Sequence, residues 1–136
     1  MTDPNPTERE LQVLKVLWQH GEATVREVWK VLSTVDSELA YTTALSLMQV
    51  MEQKGLVKHR ADGKAYVYTA LVRQQNVLGK LASGFLQRVF DGAVDEYLVH
   101  ALAAQRPSDA ELDRMEQMIA EARERTKSKR KPGGAS

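Results

Sequence analysis

The sequence contains no cysteine among its 136 residues, and this absence removes several kinds of chemistry. Disulfide frameworks, cysteine zinc sites and thiolate nucleophiles all require thiols. The three histidines, His20, His59 and His100, are scattered along the chain, without carboxylates at metal-ligand spacing. The sequence therefore predicts neither a metal site nor a cofactor.

Long apolar runs are also missing. No stretch is long enough to span a bilayer, and Met1 to Pro6 has neither the basic start nor the apolar core of a signal peptide. We therefore expect a cytoplasmic protein without membrane insertion.

Catalytic motifs are also absent: the sequence has no Gly-rich phosphate loop and no nucleophile triad. The best candidates for a catalytic acid and base are Asp95 and Glu96, near His100. Adjacent residues on a helix point about 100° apart, so these two carboxylates do not face each other. We predict that the chain is not an enzyme and has no catalytic residues.

Two capping boxes are present near the N-terminus, from Thr7 to Glu10 and from Thr24 to Glu27. In this motif a hydroxyl and a carboxylate satisfy free amides of the first helical turn. Gly21 between them suits a helix end. Apolar residues at helical spacing follow each box: Leu11, Leu14, Leu17 and Trp18 in the first helix, and Val25, Val28 and Leu32 in the second.

A third helical pattern ends at Lys54 and Gly55. Its apolar side consists of Ala44, Leu47, Met48 and Met51, and its other side consists of Thr42, Thr43, Ser46, Gln49, Val50 and Gln53. The second side is small and mostly polar, which suits contact with base edges in the major groove. A plain solvent-facing side is the alternative interpretation.

A β-hairpin is predicted next, because Asp62-Gly63 separates two β-rich runs. Lys58, Arg60 and Lys64 place positive charge on it, as a wing that touches phosphates requires. Tyr66 and Tyr68 alternate with Val67, which favours half-buried strand positions.

Three short helices and a basic hairpin predict a mostly α fold with a small β-hairpin, a winged helix-turn-helix. We assign residues 1–71 to this DNA-binding domain, 72–126 to a helical dimerisation domain and 127–136 to a basic flexible tail. The predicted DNA-binding residues are Thr42, Thr43, Ser46, Gln49, Arg60 and Lys64.

The second half of the sequence predicts three more helices, the last opened by a capping box from Ser108 to Glu111. About sixty residues without a deep core of their own are best explained by packing on a second copy. A homodimer also fits two half-sites on double-stranded DNA. The predicted dimerisation residues are Leu81, Phe85, Leu86, Val89, Leu98, Leu102, Leu112, Met115 and Ile119.

Motifs along nearly the whole chain resemble the penicillinase repressor (BlaI/MecI) family. They are Thr7 to Glu10, Leu14 to Trp18, Gly21, Thr24 to Glu27, Tyr41 to Thr43, Lys54 to Val57, Tyr66 to Tyr68, Phe90 to Gly92 and Leu98-Val99. The resemblance implies a dimeric repressor that binds a palindromic operator. It also implies relief through a membrane sensor protease pathway that triggers cleavage in the C-terminal region, in a β-lactam-type response linked to antibiotic resistance.

The sequence departs from this family at three points. The recognition helix has Gln49-Val50-Met51 where relatives usually carry a basic residue. The family's Asn-Phe cleavage bond is missing, and Val99 to Leu102 stands at that place. The cysteine hook of the copper-responsive branch is absent, so copper sensing by that route is excluded.

One alternative keeps the fold and changes the function. Some winged helices bind a protein or a small ligand instead of reading DNA. The first 71 residues contain eight Lys and Arg against nine acids, and the whole chain has a net charge of +1, so bulk charge does not favour DNA. Local charge on the hairpin must decide between the two interpretations.

Overall fold

The computed structural model describes residues 5–130 of the chain. Six helices and three short strands follow one another in an order that matches the predicted winged helix-turn-helix and the helices after it. The elements are α1 (Glu8–His20), β1 (Ala23–Thr24), α2 (Val25–Ser33), α3 (Tyr41–Gln53), β2 (Val57–Asp62), β3 (Ala65–Ala70), α4 (Gln74–Phe90), α5 (Val94–Gln105) and α6 (Asp109–Arg130).

The predicted capping boxes are confirmed in detail. The Thr7 hydroxyl accepts a hydrogen bond from the Glu10 amide at 3.2 Å, and Glu10 Oε1 accepts one from the Thr7 amide at 2.9 Å. Gly21 ends α1 with φ 85°, a conformation that favours glycine. The same reciprocal pair opens α2 and α6, at Thr24 with Glu27 and at Ser108 with Glu111.

The strands form an antiparallel sheet in the order β1-β3-β2. The predicted hairpin is confirmed: Asp62 pairs with Ala65, which leaves Gly63 and Lys64 as a two-residue loop. Gly63 has φ 64°, as the turns of tight hairpins require. The sequence did not predict β1, whose two residues pair with Val67 and Tyr68.

The core lies between α1, α2, α3 and the sheet. The predicted apolar sides of the three helices are mostly confirmed, although Leu11, Trp18 and Leu47 are only half-buried. The two tyrosines of β3 differ, since Tyr68 is buried and Tyr66 is exposed. Core residues outside the predicted stripes include Val13, Val16, Ala23, Leu39, Leu56, Val57 and Tyr68.

Two compact units divide the chain, the first ending at Phe85 and the second beginning at Leu86. The first unit therefore extends beyond residue 71, the boundary proposed from the sequence. Two observations within this unit account for the extension. The Trp18 indole donates to the Val72 carbonyl at 3.0 Å, and Val77 at the start of α4 is buried.

The helices of the second unit are exposed by comparison. No residue of α5 is buried, and in α6 only Met115 is even half-buried up to residue 129. Helix α6 continues through Arg130, so residues 127–130 are helical rather than part of the predicted flexible tail. Residues 131–136 of that tail lie outside the described residues. Within the described part of the chain, no helix combines the length and the apolar character needed to cross a membrane.

Candidate nucleic-acid interface

Helix α3 presents a polar face to solvent because its apolar side is fixed in the core. Ala44, Met48 and Met51 are fully buried. The four α3 residues predicted to read DNA are all exposed on the other side of the helix: Thr42, Thr43, Ser46 and Gln49. The fold therefore brings the predicted base-reading side chains onto one accessible surface.

Aromatic contacts hold the start of α3. The Trp29 indole donates a hydrogen bond to the Leu39 carbonyl at 2.8 Å, and its ring meets the Tyr41 ring edge-on at a centroid distance of 5.8 Å. The Arg26 guanidinium carbon lies 5.6 Å from the Tyr41 ring centroid, within cation–π range. Arg26 is exposed on α2, and sequence reasoning did not single it out.

The end of α3 is tied to α1 by an ion pair. Lys54 Nζ lies 2.7 Å from Glu10 Oε2, and the Glu10 side chain is only 3% exposed. Burial alone would raise the pKa of Glu10. The hydrogen bonds from Lys54 and Thr7, together with the Lys54 charge, outweigh that effect and lower the pKa.

A histidine connects α3 with the hairpin. His59 Nδ1 on β2 lies 2.6 Å from Glu52 Oε1 on α3. The His59 ring also lies beside the rings of Tyr66 and Tyr68, at centroid distances of 4.5 and 5.4 Å. Burial, and then the nearby Glu52 carboxylate, raise the pKa of Tyr68. These contacts fix the hairpin against the second half of α3.

The basic residues predicted on the wing separate into two locations. Lys64, in the loop of the hairpin, lines a surface cavity with Tyr41 and Leu45 of α3. Lys58 and Arg60 line a different cavity, over β2 and β3. Of the three basic residues of the hairpin, only Lys64 therefore lies beside the start of α3.

Arg60 has a protein partner, which the sequence did not indicate. Its guanidinium donates to both Glu22 carboxylate oxygens, at 3.1 and 3.2 Å. Both side chains are more than half exposed. A phosphate would have to compete with Glu22 for Arg60, whereas Lys64 has no carboxylate within ion-pairing distance among residues 5–130.

The surface around α3 offers hydrogen-bond donors and acceptors, cations and aromatic rings. Among the described residues, no group of three histidine, aspartate or glutamate side chains lies close enough together to hold a metal ion. A polar helix face beside a hairpin with a basic tip defines a winged helix-turn-helix of the DNA-binding class.

The comparisons with known proteins agree with this class. The family model described as penicillinase repressor matches residues 6–121. The chain belongs to the penicillinase repressor family and is a DNA-binding transcriptional repressor of the BlaI/MecI type, not an enzyme.

Similar proteins are known from several bacteria. The penicillinase repressor of Bacillus licheniformis is 27% identical over 124 residues, covering 91% of this chain and 96% of that protein. The transcriptional regulator BlaI of Mycobacterium tuberculosis is 32% identical over 129 residues, covering 93% and 91%. The solution structure of the DNA-binding domain of the repressor BlaI aligns with 28% identity and a TM-score of 0.49, covering 55% of this chain and 90% of that one.

Proposed function

We propose that the chain represses transcription by binding a palindromic operator as a homodimer, with one α3 helix in the major groove of each half-site. The observation that carries this proposal is the exposed polar face of α3, with Lys64 of the hairpin beside its start. Dimers of helix-turn-helix proteins bind two half-sites related by the symmetry of the protein.

The base contacts come from Thr42, Thr43, Ser46 and Gln49 in this proposal. Gln49 is the one able to make a bidentate contact, for which adenine is the usual partner, and such a pair contributes about 1–3 kcal/mol of base discrimination. Threonine methyl groups suit contact with thymine. Sequence-dependent DNA shape supplies further discrimination.

The phosphate contacts come from the hairpin, through Lys64 and Arg60. Lys64 has no carboxylate partner in the described chain, so it meets DNA without losing an ion pair. Arg60 must exchange Glu22 for a phosphate, which reduces its net contribution.

The homodimer is supported by apolar side chains that the single chain leaves in contact with solvent. Val99 of α5 is 67% exposed, and Ile119 of α6 is 50% exposed. Large apolar side chains are exposed on all three helices of this part of the chain, α4, α5 and α6. Such an exposed apolar surface is typical of a site of association with another protein chain. The proposed dimerisation residues are Leu81, Phe85, Leu86, Val89, Leu98, Leu102, Leu112, Met115 and Ile119, of which Leu81, Leu86, Leu98 and Met115 are half-buried and the rest exposed.

Relief of repression belongs to the same proposal, through an inducing signal that reaches the C-terminal helices from a membrane sensor protease pathway. Relatives are named for penicillinase and for methicillin resistance, so β-lactam response genes are the first regulon to examine. Val99 to Leu102 lies inside α5, so a protease would have to open this helix locally before cutting there.

The test is selection of binding sites from random duplex DNA with the purified full chain. We expect a two-fold symmetric motif, bound with an affinity that falls steeply with salt. Thr43→Ala should weaken binding to the motif at least fivefold, because it removes a contact next to the bases, and should leave binding to unrelated duplexes unchanged. Thr126→Ala in α6 is the matched control.

Failure to enrich any motif would reject operator reading and favour the protein-binding alternative. Enrichment of a motif without two-fold symmetry would reject the dimeric arrangement and retain DNA binding.

A further inference from the structure

The recognition helix lacks the cations that DNA binding requires. Helix α3, described in full, contains no lysine or arginine, and its single charged residue is Glu52. His59 contacts that carboxylate. Each phosphate that a protein neutralises adds to affinity and to its dependence on salt. The positive charge near α3 must therefore come from other elements.

Two cations from different elements lie beside the start of α3. Arg26 from α2 and Lys64 from the hairpin loop line one cavity of about 290 Å³, together with Tyr41, Leu45 and Tyr66. Both cationic side chains are exposed. Over residues 5–130, no carboxylate lies within ion-pairing distance of either one.

Tyr41 gives Arg26 a defined position. The guanidinium carbon lies 5.6 Å from the Tyr41 ring centroid, and the Trp29 ring packs edge-on against that same tyrosine. A guanidinium over an aromatic ring keeps its N–H groups available for a bidentate contact with phosphate. This arrangement differs from that of Arg60, whose N–H groups already donate to Glu22.

We propose that Arg26 and Lys64 together bind one backbone phosphate of DNA beside the start of α3, with Tyr41 as the residue that positions Arg26. This inference rests on the proposed function, because it assigns the charge that the operator-reading helix itself lacks. A phosphate held at this cavity sets the position of Thr42 and Thr43 along the groove.

The experiment compares Arg26→Gln and Lys64→Gln with the wild type on the selected motif and on an unrelated duplex, over a range of salt concentrations. Each variant should lose about tenfold in affinity at physiological salt on both DNAs, since a phosphate contact carries no sequence information. Because both cations bind the same phosphate, the salt slope should fall in each variant, and by no more than about one. Lys15→Gln, an exposed lysine of α1, makes the same charge change away from the cavity and should behave as the wild type.

Two Tyr41 variants test the positioning role. Tyr41→Phe keeps the ring and should retain the wild-type salt slope, whereas Tyr41→Leu should lower the slope as Arg26→Gln does. Circular dichroism of each variant checks that the helices are retained. A Tyr41→Leu protein with normal helix content and a normal slope would overturn the role of the ring.

The outcomes separate this inference from the proposed function. If the wild type binds its motif while Arg26→Gln keeps full affinity and slope, the phosphate site is wrong and operator reading stands. If Lys64→Gln alone shows the loss, the phosphate belongs to the hairpin, and the role of Arg26 is overturned. A wild type that enriches no motif rejects the proposed function itself.

Discussion

Glu10 is a buried carboxylate at the start of α1 that holds two donors from different parts of the chain. Its oxygens accept from the Thr7 amide and from Lys54 Nζ, 44 residues away. The first contact caps a helix, and the second fixes the end of α3. One side chain therefore stabilises both the start of α1 and the end of α3.

We predict that Glu10→Gln lowers the free energy of unfolding by roughly 1–3 kcal/mol, because it removes the charge that pairs with Lys54 and turns one of the two acceptor oxygens into a donor. The control is Glu27→Gln in the capping box of α2, which has the same geometry but is exposed, and its cost should stay within about 0.5 kcal/mol. Urea denaturation measures both. Equal costs in the two variants would contradict the role assigned to the Lys54 pair.

The pH dependence of the same variant follows from the lowered pKa of Glu10. The ionised carboxylate stabilises the folded chain fully above its ordinary pKa of 4.5, and this contribution is lost as pH falls through the folded-state pKa. The stability gap between wild type and Glu10→Gln should therefore be constant near neutral pH and narrow below pH 4.5. A stability gap that widens as the pH falls would contradict the lowered pKa of Glu10.

At the scale of the elements, an ion pair crosses the three-stranded sheet. Glu22, just before β1, reaches across the sheet to Arg60 on β2. The pair holds Arg60 over the sheet surface, where it lines a cavity with Lys58, Val67 and Thr69. If Arg60 contacts DNA as proposed, this ion pair reduces the strength of that contact.

Removing the acid should therefore strengthen DNA binding. We predict that Glu22→Gln raises affinity a few-fold and steepens the salt slope, because Arg60 becomes free to contact phosphate. The double variant Glu22→Gln with Arg60→Gln should lose that gain. Titration of labelled operator DNA at several salt concentrations measures the effect, and an unchanged slope in Glu22→Gln would show that Arg60 does not reach DNA.

The same elements show which features were predictable from the sequence. The capping boxes at Thr7 and Thr24 and the turn at Gly63 depend on residues within four positions of one another, so their motifs identified them. Strand β1 is only two residues long and forms because it pairs with β3. No pattern in the neighbouring sequence indicates this pairing. Single-sequence patterns do not contain such pairings.

The candidate DNA-binding surface was likewise predictable only in the features that depend on neighbouring residues. The exposed face of α3 follows from helical spacing alone, and the resemblance to repressors suggested its proposed function. The partners of the cations did not follow, because Arg60 meets Glu22 from 38 residues away and Arg26 meets Tyr41 only when α2 packs on α3. These contacts depend on tertiary packing, which decides which charges remain available.

At the scale of the whole molecule, the proposed dimer depends on the apolar faces of α4, α5 and α6. We predict that Ile119→Asp converts the protein to a monomer, because a charge would have to be buried in the interface. Sedimentation equilibrium should give twice the chain mass for the wild type and a single chain mass for the variant. Gln117→Asp, on an exposed position of the same helix, should remain dimeric.

Loss of the dimer should affect DNA binding in a particular way. Affinity for a duplex with two half-sites should fall by a hundredfold or more, while affinity for a single half-site should stay the same, because the linkage of two sites is lost and each contact is kept. A monomeric wild type would contradict the proposed dimer. A variant that also loses affinity for a single half-site would contradict the proposal that α6 serves dimerisation and not DNA contact.

The proposed separation of the positive charge from the base contacts bears on how such regulators evolve. Helix α3 carries the exposed threonine, serine and glutamine side chains, while the neighbouring cations belong to α2 and to the hairpin. In the proposed arrangement, substitutions on the exposed face of α3 change which operators are recognised without altering the electrostatic attraction to DNA. Substitutions at Arg26 or Lys64 change occupancy at every operator together. A duplicated copy of this gene is thus able to acquire a new regulon and a new sensitivity threshold through independent mutations.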